Sequence, residues 1–318
     1  MAPSRKKNNF RDHGGGLDAA VAQFGGARED WLDLSTGINP SPYPAGPPSL
    51  QSMTALPDQG AYHKLIEAAR QFWSVPQGAK IVPAAGASAL IAALPALIRG
   101  QKVDIAQPTY NEHQAAFEAA GWTLSNDHPD LKVAVHPNNP DGRLWQSHEL
   151  TAPLAIIDES FADVCPQHSL IHETARPGRI VLKSFGKFWG LAGVRLGFAI
   201  GADPVLDKLA ERLGPWPVSG PALDIGTAAL NDKMWAENTR IQLTKDAQRL
   251  DQILLAAGAE RIGGCDLFRL FSVHSAQQWH QKLAQHHILS RIFPYSDHYL
   301  RLGLPGADGW DRLQRALR

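Results

Sequence analysis

Cysteine is scarce in this chain: only Cys165 and Cys265 occur, far apart and without CxxC spacing. That argues against a disulfide framework or a cysteine-built metal site, and makes a reducing cytoplasm the expected compartment. Excess charge is missing too, with Lys+Arg and Asp+Glu at 31 each among 318 residues. Such a balance argues against nucleic acid or an anionic membrane as the main partner. Long hydrophobic runs are also absent. The longest apolar stretch, ASALIAALPALI at 87–98, is too short to span a bilayer and carries Pro95. The start, MAPSRKKNNFRDHGGG, is basic but has no apolar segment behind it, so no secretory signal is expected. What remains is a soluble globular protein, long enough for one large domain and a smaller one.

What is present is an alternation. The stretch 35–57 is rich in Pro, Gly and Ser and reads as an extended connection. Residues 61–73 place Leu65, Ala68, Ala69 and Phe72 on one helical face. Short Val-, Ile- and Leu-rich runs follow: KIVPAAG (80–86), KVDIAQP (102–108), LKVAVHP (131–137), LAIIDES (154–160), RIVLKS (179–184) and RLGFAIG (195–201). Runs of this length, bounded by Pro, Gly or polar turns and separated by helical patterns, suit strands buried on both faces. The predicted class is α/β, with a mostly parallel central sheet in a large domain and a small α+β domain. We expect an N-terminal arm or part of the small domain at 1–40, loose over residues 1–12. The large domain is expected at 41–205. The small domain is expected at 206–318, with one long helical stretch running to about Ala257. A ligand is expected at the carboxyl ends of the parallel strands, near the seam between domains.

Polar residues collect at those strand ends: Gly86 and Ser88, Tyr110, Asn138 and Asn139, Asp158, then Ser184 and Lys187. Lys187 lies in SFGKFWGLAGVRLGF (184–198), among glycines and apolar residues. A desolvated amine has a lowered pKa and a free lone pair, and can form a Schiff base with an aldehyde. The plainer reading is a lysine snorkelling from a loop. A GxxxxGK[ST] phosphate loop is excluded, because Val181 and Phe188 stand where it needs glycine and a hydroxyl residue. Ser184 and Arg195 together can cradle a phosphate; separately they read as a strand-end cap and a surface ion pair. Gly86, Ala87 and Ser88 open a helix whose free N–H groups favour phosphate. Asp158 closes an apolar strand, where a carboxylate needs a cationic partner such as a protonated pyridine nitrogen; a helix cap is the alternative. No His/Asp cluster at metal spacing surrounds it. Asn139 in HPNNPDG is a turn residue whose amide can also reach a phenolic oxygen. Tyr110 can stack on a flat ring or simply pack. Arg301 alternates with Leu300 and Leu302 and would grip a carboxylate if it faces the seam.

Together these residues resemble the class I/II aminotransferase superfamily of fold-type I pyridoxal-phosphate enzymes. SFGK with Arg195 eight residues on, NNPDG, IIDES, PTY and YLRLG stand in that family's order and at about its spacing. The resemblance runs from about His13 to Arg301. It implies pyridoxal 5'-phosphate as cofactor, with Lys187 as its Schiff-base lysine and proton shuttle and Asp158 as partner of the ring nitrogen. Asn139 would touch the ring hydroxyl and Tyr110 would stack. Gly86, Ala87, Ser88, Ser184 and Arg195 would hold the cofactor phosphate, and Arg301 the substrate carboxylate. A homodimer is implied as well.

HGGGLDAAVAQFG (13–25) and WLDLSTGINPSPYP (31–44) are most similar to the threonine-phosphate decarboxylase family of cobalamin biosynthesis. That likeness implies decarboxylation of a phosphorylated amino acid. His13 would close over the substrate phosphate, with Arg11 and the STGIN segment (Gly37, Asn39) nearby. Several positions depart from the wider pattern. Leu56 stands where a tyrosine often reaches the partner's cofactor phosphate, and Tyr62 is the possible replacement. Phe161 replaces a tyrosine common in transaminases, which favours decarboxylation, and Gly186 removes a hydroxyl before the lysine. The alternatives are a transaminase for a compound such as histidinol phosphate, and a non-catalytic cofactor-binding sensor. The short stretch before His13 leaves no room for the DNA-binding domain that such sensors carry, so chemistry is the expectation.

Overall fold

A computed structural model describes residues 11–318; residues 1–10, the start of the expected arm, lie outside the described residues. Each Val/Ile/Leu-rich run forms a strand: Lys80–Ala84, Lys102–Ile105, Leu131–Val135, Leu154–Asp158, Arg179–Ser184 and Gly197–Gly201. Thr123–Leu124 adds a two-residue strand beside Lys102–Ile105. In space the order is 80–84, 197–201, 179–184, 154–158, 131–135, 102–105, 123–124. All run parallel except Gly197–Gly201, which is antiparallel to both of its neighbours. The expected α/β architecture with a mostly parallel sheet is what the chain adopts.

Strand side chains alternate between faces. Ile156 and Leu182 therefore join Val103, Leu131 and the helix residue Leu90 on one side, while Ile157 and Val181 join Phe198 and Trp189 on the other. The alternation continues to the strand ends. Asp158 and Ser184 follow the first face, and Lys183 follows the second, where it meets Glu159. Two sets of polar groups thus leave neighbouring positions toward opposite sides of the sheet.

The second set is wholly internal. Lys183 Nζ lies 2.6 Å from Glu159 and 3.4 Å from Asp163. Asp163 also accepts from the indole nitrogens of Trp73 (2.9 Å) and Trp189 (3.1 Å), and Glu159 from Ser169 Oγ (2.6 Å) and the Leu170 N–H (2.5 Å). Burial alone would lower the Lys183 ammonium pKa, but the two carboxylates outweigh it and hold it raised. Buried charges persist only when paired and hydrogen-bonded in this way.

The C-terminal part carries an antiparallel sheet in the order Arg291–Phe293, Ser296–Gly303, Phe268–Ser272, Glu260–Cys265. Helix Ala276–Ala284 packs against it, and Trp310–Leu317 packs on that helix. Leu32–Asp33 pairs in parallel with Ile288–Leu289, which ties the N-terminal segment to this part. Two expectations are corrected. The helical stretch before Ala257 is two helices, Gly220–Asn231 and Lys233–Ala256, because Asp232 leaves helical geometry and caps the second by accepting from the Trp235 N–H at 2.9 Å. The connection at 35–57 is not extended throughout; Ser49 caps a short helix, Leu50–Thr54. Both cysteines are free, and burial pushes their thiols up to about 12 (Cys165) and about 11 (Cys265). No helix of the described residues is long and apolar enough to cross a membrane.

Replacing Lys183 with Met strands two buried carboxylates. Equilibrium urea unfolding should show a loss of about 3–5 kcal/mol. An unchanged midpoint would mean that the cluster carries no such burden.

Candidate active site

The carboxyl ends of the parallel strands face the antiparallel sheet across a cavity of about 390 Å³. Asp158 sits at its floor, 2% exposed. It accepts from His113 Nε2 (2.8 Å), from the Ser160 N–H (3.0 Å) and from Ser160 Oγ (2.6 Å). Burial alone would raise its pKa, but the His113 and Ser160 hydrogen bonds outweigh burial and hold the carboxyl below its ordinary value. The pair of oxygens has acceptor capacity beyond these three bonds, directed at the cavity. His113 was not singled out from the sequence. A buried histidine in the helix Asn111–Ala119 leaves no pattern of its own, and its one signal is its place a turn after PTY.

Lys187 stands on the loop after Arg179–Ser184. Its carbonyl accepts from the backbone N–H groups of Asn39 (3.0 Å) and Gly190 (3.1 Å). Its ammonium enters no ion pair among the described residues and lies 5.3 Å from the Phe161 ring centroid. Burial first, and then the Arg301 charge, lower its pKa to about 8. Lys187 is half-buried and lines the cavity.

Gly86, Ala87, Ser88, Ser184 and Arg195 gather at one end. Gly86 has φ +85°, and a Cβ there would come within 2.4 Å of Arg195 Nη2, so only glycine allows the guanidinium so near the helix start. Gly86 is thus covered by Arg195 and does not line the cavity itself. The helix Ala87–Ala93 has no side-chain cap, leaving its first N–H groups available. Arg195 is steadied by donating to the Ala192 carbonyl at 3.0 Å, and Ser184 Oγ accepts from the Gly186 N–H at 3.2 Å. This is an anion cradle of backbone N–H groups, a hydroxyl and a guanidinium.

At the other end Arg301 donates to Asn139 Oδ1 and to the Ser35 carbonyl at 2.5 Å. Its Nε has no partner, and it pairs with no carboxylate among the described residues. Burial first, then the neighbouring Arg291 charge, lower its pKa to about 10. A buried cation with only neutral partners calls for an anion. Tyr110 forms one wall, and burial first, then the charges of Asp158 and Glu112, push its phenol up to about 12. Gly37 is a close approach: a Cβ there would meet Phe161 and Phe268 at 2.9 Å each. His13 lines the rim with Nε2 2.8 Å from Glu112.

The structure does not bring every expected residue to the cavity. The Asn39 side chain donates to the Phe188 carbonyl at 2.9 Å and accepts from the Ser41 N–H at 2.9 Å. Its amide is therefore committed to bracing the Lys187 loop rather than to a ligand. Arg11 pairs with Glu112 and is absent from the cavity lining. Tyr62, expected to act toward a partner's cofactor phosphate rather than in its own cavity, exchanges hydrogen bonds with Val218 (3.1 and 3.2 Å). Conversely, Asp12, Arg291 and Tyr295 line the outer wall and were not foreseen.

The pattern known as aminotransferase class I and II matches residues 48–309, and the chain belongs to that family. Within it the chain is 39% identical to a threonine-phosphate decarboxylase of Pseudomonas aeruginosa, over 96% of this chain and 97% of that one. A threonine-phosphate decarboxylase of Sinorhizobium sp is 40% identical over the same shares. The crystal structure of histidinol-phosphate aminotransferase from Sinorhizobium meliloti in complex with pyridoxal-5'-phosphate has the same fold, with TM-score 0.80 at 18% identity, covering 100% of this chain and 97% of that one.

Labelling of the ligand-free protein by an amine-reactive sulfonate, mapped by mass spectrometry, should modify Lys187 through its neutral form. Because the pKa is lowered to about 8, the rate should climb up to that pH and level off above it. A rate still climbing beyond pH 10, as for an ordinary lysine, would contradict the assignment.

Proposed function

We propose that this protein decarboxylates O-phospho-L-threonine to (R)-1-aminopropan-2-yl phosphate with pyridoxal 5'-phosphate as cofactor. The similarity to threonine-phosphate decarboxylases along almost the whole chain carries the reading. Likeness to an adenosylcobalamin biosynthesis bifunctional protein supports cobalamin biosynthesis as its setting. The residues present fit the cofactor. A phosphate matches the cradle of Ala87, Ser88, Ser184 and Arg195, where the Gly86 hydrogen leaves the guanidinium its place. A protonated ring nitrogen matches the buried anion of Asp158.

When bound, pyridoxal phosphate supplies an electron sink for the pair left at the substrate Cα. The remaining work belongs to the chain. Asp158, held anionic by His113 and Ser160, would keep a proton on the ring nitrogen. Tyr110 would flank the ring, and Asn139 would have its amide N–H to offer, since its oxygen is taken by Arg301. Lys187 would anchor the cofactor, and its ammonium, with a pKa lowered to about 8 in the ligand-free site, would be an acid able to give a proton to Cα. Arg301 grips the substrate carboxylate. Holding the substrate at a remote phosphate as well as at its carboxylate would fix which bond to Cα is presented for cleavage. Phe161 offers no hydroxyl to the ring. A cytoplasmic homodimer belongs to the same reading. Exposed Leu50, Met53, Leu56 and Trp216 lie on segments that meet where Gly220 packs on Ser52, which suits burial against a second copy.

The protein with its cofactor and O-phospho-L-threonine, and no 2-oxo acid, should release CO2 and the amine phosphate in equal amounts. Lys187→Ala should lower that turnover by at least about a thousandfold. Turnover that appears only with 2-oxoglutarate, without CO2, would make the protein a transaminase instead.

A further inference from the structure

Arg291 and Arg301 are direct partners across the antiparallel pair Arg291–Phe293 and Ser296–Gly303. Both line the cavity. Like charges directly opposite each other repel unless anions lie between or beside them. Arg301 has neutral partners only. Arg291 instead has a carboxylate from far away in the chain: Asp12, whose oxygens lie 2.5 Å from Nη1 and 2.7 Å from Nη2. The fork is bidentate, the geometry in which a guanidinium also takes a phosphate. Asp12 itself lines the cavity, beside His13 and Gly14.

The Asp12 segment does not depend on that carboxylate for its place. The Asp12 carbonyl accepts from Arg291 Nη2 (3.0 Å) and from Asn111 Nδ2 (2.9 Å). His13 holds Glu112, and the Gly15 N–H donates to Ser35 Oγ at 2.7 Å. The Asp12 side chain is 48% exposed, so it can swing into solvent when released. Its carboxylate is a removable occupant of an otherwise fixed guanidinium.

We propose that Asp12 is a specificity-determining residue: it fills the Arg291 fork until a phosphate of the substrate displaces it. The inference rests on the reading of the substrate as a phosphorylated amino acid. Displacing Asp12 costs every incoming anion the same free energy. A carboxylate exchanged for a carboxylate gains nothing, so a side-chain monoanion leaves Asp12 in place. A phosphate dianion offers more charge and more acceptor oxygens, and exceeds the cost. Arg301 stays open for the substrate's own carboxylate. The cavity therefore takes one monoanion at Arg301 and one dianion at Arg291.

The test is calorimetric titration of inorganic phosphate, and separately of acetate, into the cofactor-loaded protein at pH 8. The bound cofactor fills the Arg195 cradle, and an Arg301→Gln background used throughout removes the other open guanidinium, so the titration reads the Arg291 end. Asp12→Asn keeps the backbone carbonyl and removes the charge, and should tighten phosphate roughly three- to tenfold. Asp12→Ser should do the same, and acetate should become measurably bound in both variants. Arg291→Gln should lose the phosphate site with or without Asp12. Phosphate affinity unchanged or weakened in Asp12→Asn and Asp12→Ser, or retained in Arg291→Gln, would overturn the inference. Absence of decarboxylation with these affinity changes intact would instead refute the proposed reaction and leave the exchange at Arg291 standing.

Discussion

A buried carboxylate at the end of a strand sets the terms for the rest of this molecule. Asp158 has given up water almost completely, and three hydrogen bonds replace it. The helix bearing His113 must therefore pack against the end of Leu154–Asp158, and the turn at Ser160 must fold back on it. Register does the rest. Asp158 pairs with Leu182, so Ser184 emerges on the same face two residues later and delivers the loop that carries Lys187. Lys183, one position away, falls on the opposite face and closes the internal cluster with Glu159 and Asp163. One face of the strand end serves chemistry and the other anchors the sheet beneath it.

The cavity above is richer in cations than in anions. Lys187, Arg195, Arg291 and Arg301 line it with Asp12 and Asp158. Low local polarity makes each unmatched charge expensive and each matched one effective. The arrangement suits ligands that bring anions to both ends, a cofactor phosphate at the Arg195 cradle and an amino acid with a carboxylate and a phosphate at the arginine pair. Burial and this crowding of positive charge are also what lower the Lys187 amine to about 8, where it can hold or release a proton near neutral pH.

Much of this was legible in the sequence. Val- and Ile-rich runs marked the main strands because buried parallel strands need apolar residues on both faces. The reversal of Gly197–Gly201 was not, since strand direction within a sheet depends on the path of the connection. The helix break at Asp232 and the pairing of Leu32–Asp33 with Ile288–Leu289 were hidden for related reasons: the first is a single capping side chain, the second a contact across most of the chain. Lys187 and Asp158 stood out because a charged residue in an apolar setting is costly. Asn39 was misjudged because a polar residue near a glycine-rich turn reads alike whether it meets a ligand or a loop carbonyl. Asp12 and Arg291 gave no warning, and His113 only its place a turn after PTY, since their partners lie on other elements and only folding brings them together.

The most direct measurement uses O-phospho-L-threonine carrying deuterium at Cα. Decarboxylation breaks the bond to the carboxylate and leaves the Cα–D bond untouched, so mass spectrometry of the amine phosphate should find the deuterium retained. Washout of deuterium into solvent before any CO2 appears would show that the site labilises the Cα–H bond instead, and would contradict a decarboxylase.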